Sequence, residues 1–303
     1  MEKADSSIER DLPVPPDLKR VIVDGYEFAY RERGTGTPVV FVHGGISDLT
    51  VWDPTIDAVG EHFRAIAYSR RYAWPNVDID EGAKDYMQPH VDDLHRLLLT
   101  LDAAPAHLVG NSWGAFICLR LAIQHPEVVR SIVLQEPPLI PLITGAPPSP
   151  AHILGSLVRR PRTTLATMKF AATGLGPVQK LVKAGQIRPS IDTFARAVLG
   201  AAEYAAAPAD FRAHMYANAG THVAQAIADG GFEPLSEQDV ASVTHPTLVM
   251  TGSTSPAVLR LLAKRLDELL PHSRIVDIPD ASHVMHVQNP AAANAAIVDF
   301  LRP

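Results

Sequence analysis

The sequence predicts an α/β protein: a doubly wound, mostly parallel sheet of eight strands, with a helical cap inserted before the last two. Three observations carry this. Short strand patterns alternate with helical patterns through residues 19–136 and again through 240–303. One of the strands, Pro38-Val39-Val40-Phe41-Val42, is apolar throughout, as a strand buried on both faces of a parallel sheet must be. Between residues 137 and 239 the texture changes to helical periodicity with no convincing strand. A chain of 303 residues suffices for one large domain or for a core that carries an insertion.

Residues 1–18 read as a flexible polar leader that includes Pro15-Pro16. Residues 19–23 and 27–33 then alternate like the strands of a hairpin, with Asp24-Gly25 as the turn. The apolar strand 38–42 runs into His43-Gly44-Gly45. A helix follows at 54–60 and a strand at 63–68. A longer helix at 87–101 carries Val91, Leu94, Leu98 and Leu101 on one face. Strand 106–109 precedes Gly110-Asn111-Ser112-Trp113-Gly114, an apolar helix extends to His125, and strand 129–134 comes next. Proline is dense from Pro137 to Pro150, and helical patterns recur at 151–158, 163–172, 178–184, 191–199 and 209–218. Alternation resumes with strand 247–251, helix 257–270, strand 274–278 and a closing helix at 290–301. The expected division is a core of residues 19–136 and 240–303 and a cap insertion of residues 137–239.

Composition excludes several roles. The chain is 47% hydrophobic with a net charge of −6, and its basic clusters are confined to Arg70-Arg71 and Arg159-Arg160-Pro161-Arg162. Such a balance offers no electrostatic attraction to nucleic acid or to an anionic membrane. One cysteine, Cys118, precludes an internal disulfide, fits a reducing compartment and reads as a core filler on the apolar helix. The leader has no apolar signal region, and no apolar run reaches the roughly 18 residues that span a bilayer. A cytoplasmic protein is expected.

The chemistry concentrates at Ser112. A serine between two glycines at a strand-to-helix corner has the pattern of a nucleophile elbow. The turn strains the serine backbone, and a side chain at either flank would strike the neighbouring strand or helix. The corner also brings the Trp113 N–H to a helix N-terminus, where it can meet a developing oxyanion. A serine hydroxyl needs a base, and His283, straight after the last expected strand, is the candidate, with His286 as its competitor.

With these motifs in place, residues 19–301 resemble the α/β-hydrolase superfamily, as a serine hydrolase with a helical cap after the sixth strand. Tyr68-Ser69-Arg70-Arg71-Tyr72-Ala73-Trp74-Pro75-Asn76 and Gly252-Ser253-Thr254-Ser255-Pro256 resemble a bacterial subgroup of mostly uncharacterised hydrolases. The resemblance implies the chain order serine, acid, histidine. Many members place an Asp after the seventh strand, near Ser255, where this chain has no carboxylate. Others, including some haloalkane dehalogenases and zearalenone-type lactonases, place the acid after the sixth strand, where this chain has Glu136. Ser255 could accept a hydrogen bond from the base but could not offset an imidazolium, so Glu136 is the expected acid. For the oxyanion hole the resemblance implies the N–H of Trp113 and one from His43-Gly44-Gly45-Ile46, by position that of Gly45, with Ile46 as the alternative.

A serine at the elbow implies an acyl-enzyme, hence esters, lactones, thioesters or activated amides and C–C bonds. Candidate substrate contacts are His43, Gly44, Ile46, Arg70, Trp74, Met215, Asn218 and His286. Arg70 or Arg71 could bind a substrate carboxylate or brace its own loop. Trp52, Trp74 and Trp113 could form an aromatic wall, and Phe170, Phe194, Phe211 and Tyr216 an apolar pocket, or all could be core. The expectation is a hydrolase of a small to medium, largely apolar ester or lactone, using no cofactor and no metal, with a homodimer through the cap possible. Acyl transfer or cyclisation at the same site, and non-catalytic binding of a small molecule, are the alternatives.

Overall fold

The structure is a computed structural model that describes residues 10–228 and 232–302. Its single sheet contains β1 (Lys19–Val23), β2 (Tyr26–Arg33), β3 (Pro38–Val42), β4 (Arg64–Tyr68), β5 (Ala106–Asn111), β6 (Val129–Gln135), β7 (Thr247–Gly252) and β8 (Ser273–Ile278). Their order is β1-β2-β4-β3-β5-β6-β7-β8. The hairpin strand β2 is antiparallel to β1 and to β4, and every other pairing is parallel. Val23 opposes Tyr26 across a two-residue turn whose Asp24 and Gly25 have φ of 46° and 77°. Left-handed conformation at both positions is what a tight hairpin turn needs, and Asp-Gly supplies it.

Period-two alternation divides each central strand between two cores. Val40 and Val42 of β3 join one cluster and Val39 and Phe41 the other; β5 repeats this with Leu108 and Val109. Helices α1 (Asp53–Gly60), α2 (Met87–Thr100) and α3 (Trp113–Gln124) belong to the first half of the chain. Helices α2 and α3 cover the first cluster, whereas α1 covers the second. Phe41 is fully buried with its ring centroid 5.2 Å from that of Trp52. Deleting a ring in such a position costs about 3–5 kcal/mol.

Between β6 and β7 the described residues form helices and turns only. They are α4 (Pro141–Thr144), α5 (Pro150–Arg159), α6 (Pro161–Phe170), α7 (Gly176–Lys183), α8 (Ile187–Leu199), α9 (Ala201–Ala206), α10 (Ala209–Ala217), α11 (Ala219–Ile227) and α12 (Glu237–Ala241). A π-helical turn over Ala171–Leu175 joins α6 to α7. This segment has its own small core, built from Ile191, Ala195, Leu199, Tyr204 and Met215, and Ile46 from the loop after β3 is packed into it. The chain closes with α13 (Ala257–Leu269), α14 (Met285–Gln288) and α15 (Pro290–Leu301). Among the described residues no helix is long and apolar enough to cross a membrane.

Two differences from the sequence reading stand out. Helices α4, α9, α11, α12 and α14 have no counterpart among the expected elements, because segments this short show too little apolar periodicity to be read. The leader was expected to be flexible throughout residues 1–18. Residues 1–9 lie outside the described residues, but from residue 10 the chain is tied down. Arg10 pairs with Asp78 and donates to the Asn76 carbonyl, and Asp17 accepts from Arg31.

Candidate active site

Ser112 occupies the corner between β5 and α3 with φ 52° and ψ −120°. Such a left-handed serine is strained by about 1–3 kcal/mol and persists where its surroundings over-determine it. Its N–H donates to the Gln135 carbonyl at 2.8 Å, and its carbonyl accepts from the Phe116 N–H. The flanking glycines have steric reasons. A Cβ on Gly110 would lie 2.6 Å from the Ala115 Cα, and one on Gly114 would strike the carbonyl oxygens of Val42 and His43. Trp113 is the first residue of α3, so its N–H belongs to the unpaired N-terminal turn.

Glu136 follows the last residue of β6, also left-handed at φ 46°, and its side chain is wholly buried. One carboxylate oxygen, Oε1, accepts from the Thr251 hydroxyl at 2.8 Å and the Gly252 N–H at 3.0 Å. The other, Oε2, lies 2.7 Å from Nδ1 of His283. Burial alone would push the Glu136 carboxyl up; the bond and charge of His283, the nearby Ser255 hydroxyl and the Gly252 amide outweigh it and hold it below the usual range. Asn111, the residue before Ser112, donates from Nδ2 to the His283 carbonyl at 2.9 Å and so ties the histidine loop to the elbow. His283 and Ser112 both line one cavity.

The loop after β3 is braced from below by a buried arginine. Arg70 donates from Nε to the His43 carbonyl at 3.1 Å and from Nη2 to the Gly44 carbonyl at 2.7 Å. Its backbone N–H donates to Nε2 of His43, whose Nδ1–H donates to the Gly44 carbonyl. Those partners require a neutral ring, and burial with the Arg70 charge pushes the His43 pKa well down. The guanidinium stacks on Trp113 and reaches His90, which lies 2.7 Å from Asp85; Asp85 in turn accepts from Gln225 of α11. Ile46 has φ 36°, a left-handed conformation that a β-branched residue adopts only under constraint.

The cavity has a volume of about 120 Å³, with an annex of about 40 Å³ that shares Gly45, Ile46, Ser112 and His283. An apolar cavity of roughly 150 Å³ holds a benzene ring, so the space suits small groups. Trp113, Phe170, Val178, Phe194 and Val198 are among its walls, and Gly44, Phe211, Met215 and His286 line the annex. Arg70, Arg71, Asn218 and Trp74 line neither space. Arg70 is fully buried under the loop, away from both spaces, and Arg71 forms a bidentate pair with Asp93. Asn218 is a staple: it accepts from the Trp74 N–H and donates to Asp48. Trp74 packs against His214, and its indole N–H donates to the Arg10 carbonyl. His286 stacks on Trp52 at 4.1 Å, and burial together with His283 pushes its pKa down to about 3.

Sequence reasoning missed Asn111, Asp85, His90, Thr251, His222 and Gln225. Only Asn111 carried a signal, its place inside the elbow motif. His95, His125 and Glu127 form a group whose ligand atoms lie within 4.8 Å of one another, but none of the three lines the cavity.

Comparison with known proteins bears on the fold. Residues 37–290 match a family model described as the alpha/beta hydrolase fold. An uncharacterized hydrolase, YraK, of Bacillus subtilis is 33% identical over 124 residues, which cover 41% of this chain and 45% of that protein. A putative non-heme bromoperoxidase, BpoC, of Mycobacterium tuberculosis is 27% identical over 90% of this chain and 96% of its own length. Among solved structures, a thermophilic esterase from Thermogutta terrifontis superposes with a TM-score of 0.73 at 22% identity, covering 94% of this chain and 98% of that one. An enol-lactonase from Burkholderia xenovorans gives 0.70 at 18% identity over 93% and 99% of the two chains.

Proposed function

The chain belongs to the alpha/beta hydrolase fold family, and on that premise we propose that it cleaves small to medium, largely apolar carboxylic esters or lactones through an acyl-enzyme on Ser112. The observation that carries this reading is the buried His283–Glu136 pair, 2.7 Å from Nδ1 to Oε2, in the wall of the cavity that Ser112 also lines. A carboxylate below its usual pKa accepts the Nδ1–H of His283, which leaves Nε2 as the bare, basic nitrogen. His283 then takes the Ser112 proton as the hydroxyl attacks the carbonyl, and Glu136 stabilises the imidazolium.

The oxyanion is held by the N–H groups of Trp113 and Gly45. Arg70 acts on the second of these through the peptide. Two charge-assisted or polar donors, Arg70 Nη2 and His43 Nδ1, bind the Gly44 carbonyl, and the same peptide ends in the Gly45 N–H. Withdrawing density at the oxygen strengthens donation at the nitrogen, an effect of roughly 10–30% per bond. On collapse, His283 returns the proton to the leaving alcohol; in a lactone that alcohol stays tethered to the acyl group. Water activated by His283 then releases Ser112. The apolar walls from α6, α7 and α8 form the cap of this reading, residues 137–239, and favour a small apolar substrate over a nucleic acid or membrane surface. Protein groups and water suffice for every step.

The test pairs labelling by a fluorophosphonate with turnover of p-nitrophenyl acetate, butyrate and octanoate, wild type beside Ser112→Ala. Loss of labelling and turnover together in a folded variant is the expected result. A folded wild type that neither labels nor turns over would overturn the reading.

A further inference from the structure

The cavity is apolar except at a few points, and two of them stand one helical turn apart on α11. His222 is 5% exposed and forms part of the wall. Its Nε2 lies 3.0 Å from the Ser190 hydroxyl, and that hydroxyl donates to the Ile187 carbonyl at 2.6 Å. A carbonyl oxygen can only accept, so the single hydroxyl proton is committed to it. The proton between Ser190 and the ring therefore belongs to His222 Nε2, and Nδ1 is left as a bare lone pair. No group among the described residues donates to that nitrogen. Burial pushes the ring pKa down to about 4, so it remains a neutral acceptor at ordinary pH.

Gln225 is oriented by the same kind of argument. Its Nε2 donates to Oδ2 of Asp85 at 3.0 Å, and a carboxylate cannot donate, so Oε1 is the free end of the amide. That oxygen lies 3.4 Å from the position a Cβ on Gly45 would take, beside the oxyanion loop, and Gln225 lines the cavity. His222 Nε2–H and one of the two Gln225 N–H groups are thus engaged elsewhere, and each of these cavity-lining side chains keeps an acceptor, His222 Nδ1 and Gln225 Oε1.

We propose that His222 and Gln225 form a recognition site for a hydrogen-bond donor on the substrate, a hydroxyl or an amide N–H close to the scissile carbonyl. An acceptor in an apolar wall is desolvated on binding whether or not it finds a partner, so a plain alkyl group is disfavoured there and a donor is rewarded. The substrate class narrows to short esters or lactones that carry such a donor beside an otherwise apolar body. This rests on the hydrolase reading for the reaction, but not for the recognition.

Two experiments keep the two apart. The first compares kcat/KM for p-nitrophenyl butyrate, 3-hydroxybutyrate and N-acetylglycinate in wild type, His222→Phe and Gln225→Met. The donor-bearing esters are expected to lead butyrate by about tenfold in wild type, and the ratio is expected to fall toward one in each variant, whatever the absolute rates. The hydroxyl and N–H arms identify which donor the site prefers. The second measures binding of 3-hydroxybutyramide against butyramide to Ser112→Ala by NMR titration, which needs no turnover. A wild type that hydrolyses none of the esters would sink the hydrolase reading while this ratio still decides the recognition. Equal treatment of the donor-bearing and plain compounds in both experiments, or no binding of either amide, would overturn the proposal.

Discussion

The sheet's carboxyl edge and the helical segment between β6 and β7 each take part in a histidine–carboxylate pair, buried where Glu136 faces His283 and partly exposed where Asp48 faces His214. The first pair is internal to the sheet's frame. Glu136 stands at the end of β6, and its remaining donors, Thr251 and the Gly252 N–H, stand at the end of β7. The second pair crosses between regions: Asp48 belongs to the loop after β3, whereas both donors to its Oδ2, His214 Nδ1 and Asn218 Nδ2, come from α10 and its C-cap. The same chemistry serves two ends. A carboxylate oriented by the sheet can hold a base whatever the helices do, while one satisfied from the helical segment is the joint that holds that segment down.

Glu136→Gln tests the first half of this contrast with the largest expected effect. The amide oxygen can keep the Thr251 and Gly252 donors, but its NH2 then faces His283 Nδ1 and moves the ring proton to Nε2, the wrong nitrogen for a base. The expected outcome is a folded protein, by circular dichroism, with kcat down about 10³–10⁴-fold and KM little changed. A greater loss in Ser255→Ala than in Glu136→Gln would transfer the orienting role to Ser255.

Arg70→Met probes the frame beneath the loop. Removing a fully buried guanidinium takes the Arg70 donor from the His43 carbonyl and one of two donors from the Gly44 carbonyl, and it strips the buried Asp85 charge of a nearby cation, a loss of about 3–5 kcal/mol. Urea unfolding at pH 7 measures it. Adding Asp85→Asn is expected to return part of the loss, since the uncompensated charge is then gone; strictly additive effects would break the network interpretation.

These two residues also mark how far the sequence could be read. The apolar run of β3, the Asp24-Gly25 turn and the glycines around Ser112 follow local rules, in which a residue's neighbours in the chain determine its backbone. The place of Glu136 beside His283 was legible because a carboxylate between an apolar strand and a proline has few uses. Arg70 was not: whether it faces substrate or braces the loop depends on His43, Gly44 and His90, 20 to 27 positions away. Asn218 and Trp74 were expected near substrate and instead bond each other across 144 positions. The acceptors of α11 were hidden for the same reason, because their orientation is set by Ser190 and Asp85 and not by the helix itself.

Thr251→Val sharpens the comparison at lower cost. It removes one of three donors to Glu136 without moving the strand, and the Gly252 N–H still fixes Oε1. Loss of one neutral hydrogen bond is worth about 1 kcal/mol, so kcat is expected to fall about fivefold. A loss approaching that of Glu136→Gln would mean that the hydroxyl, not the backbone, sets the carboxylate's orientation.

The joint gives the smallest effect and the one with a sign to check. Burial lowers the His214 pKa, but the bond and charge of Asp48, with Asp210 and Asp53 nearby, outweigh it and raise the pKa above its ordinary value. A group whose pKa is higher in the folded state stabilises fully below its unfolded pKa and ceases to do so as pH rises through the folded one. The Tm difference between wild type and His214→Gln is therefore expected to be largest near pH 6 and to shrink above neutrality. His214 is partly exposed, so the pair is worth about 1 kcal/mol or less. Because the tie runs from the loop after β3 to α10, the same variant should loosen hydrogen exchange in α10 while leaving β6 and β7 protected. Equal loosening in the sheet would mean that the two histidine pairs share one cooperative unit, and the contrast between frame and joint would fall.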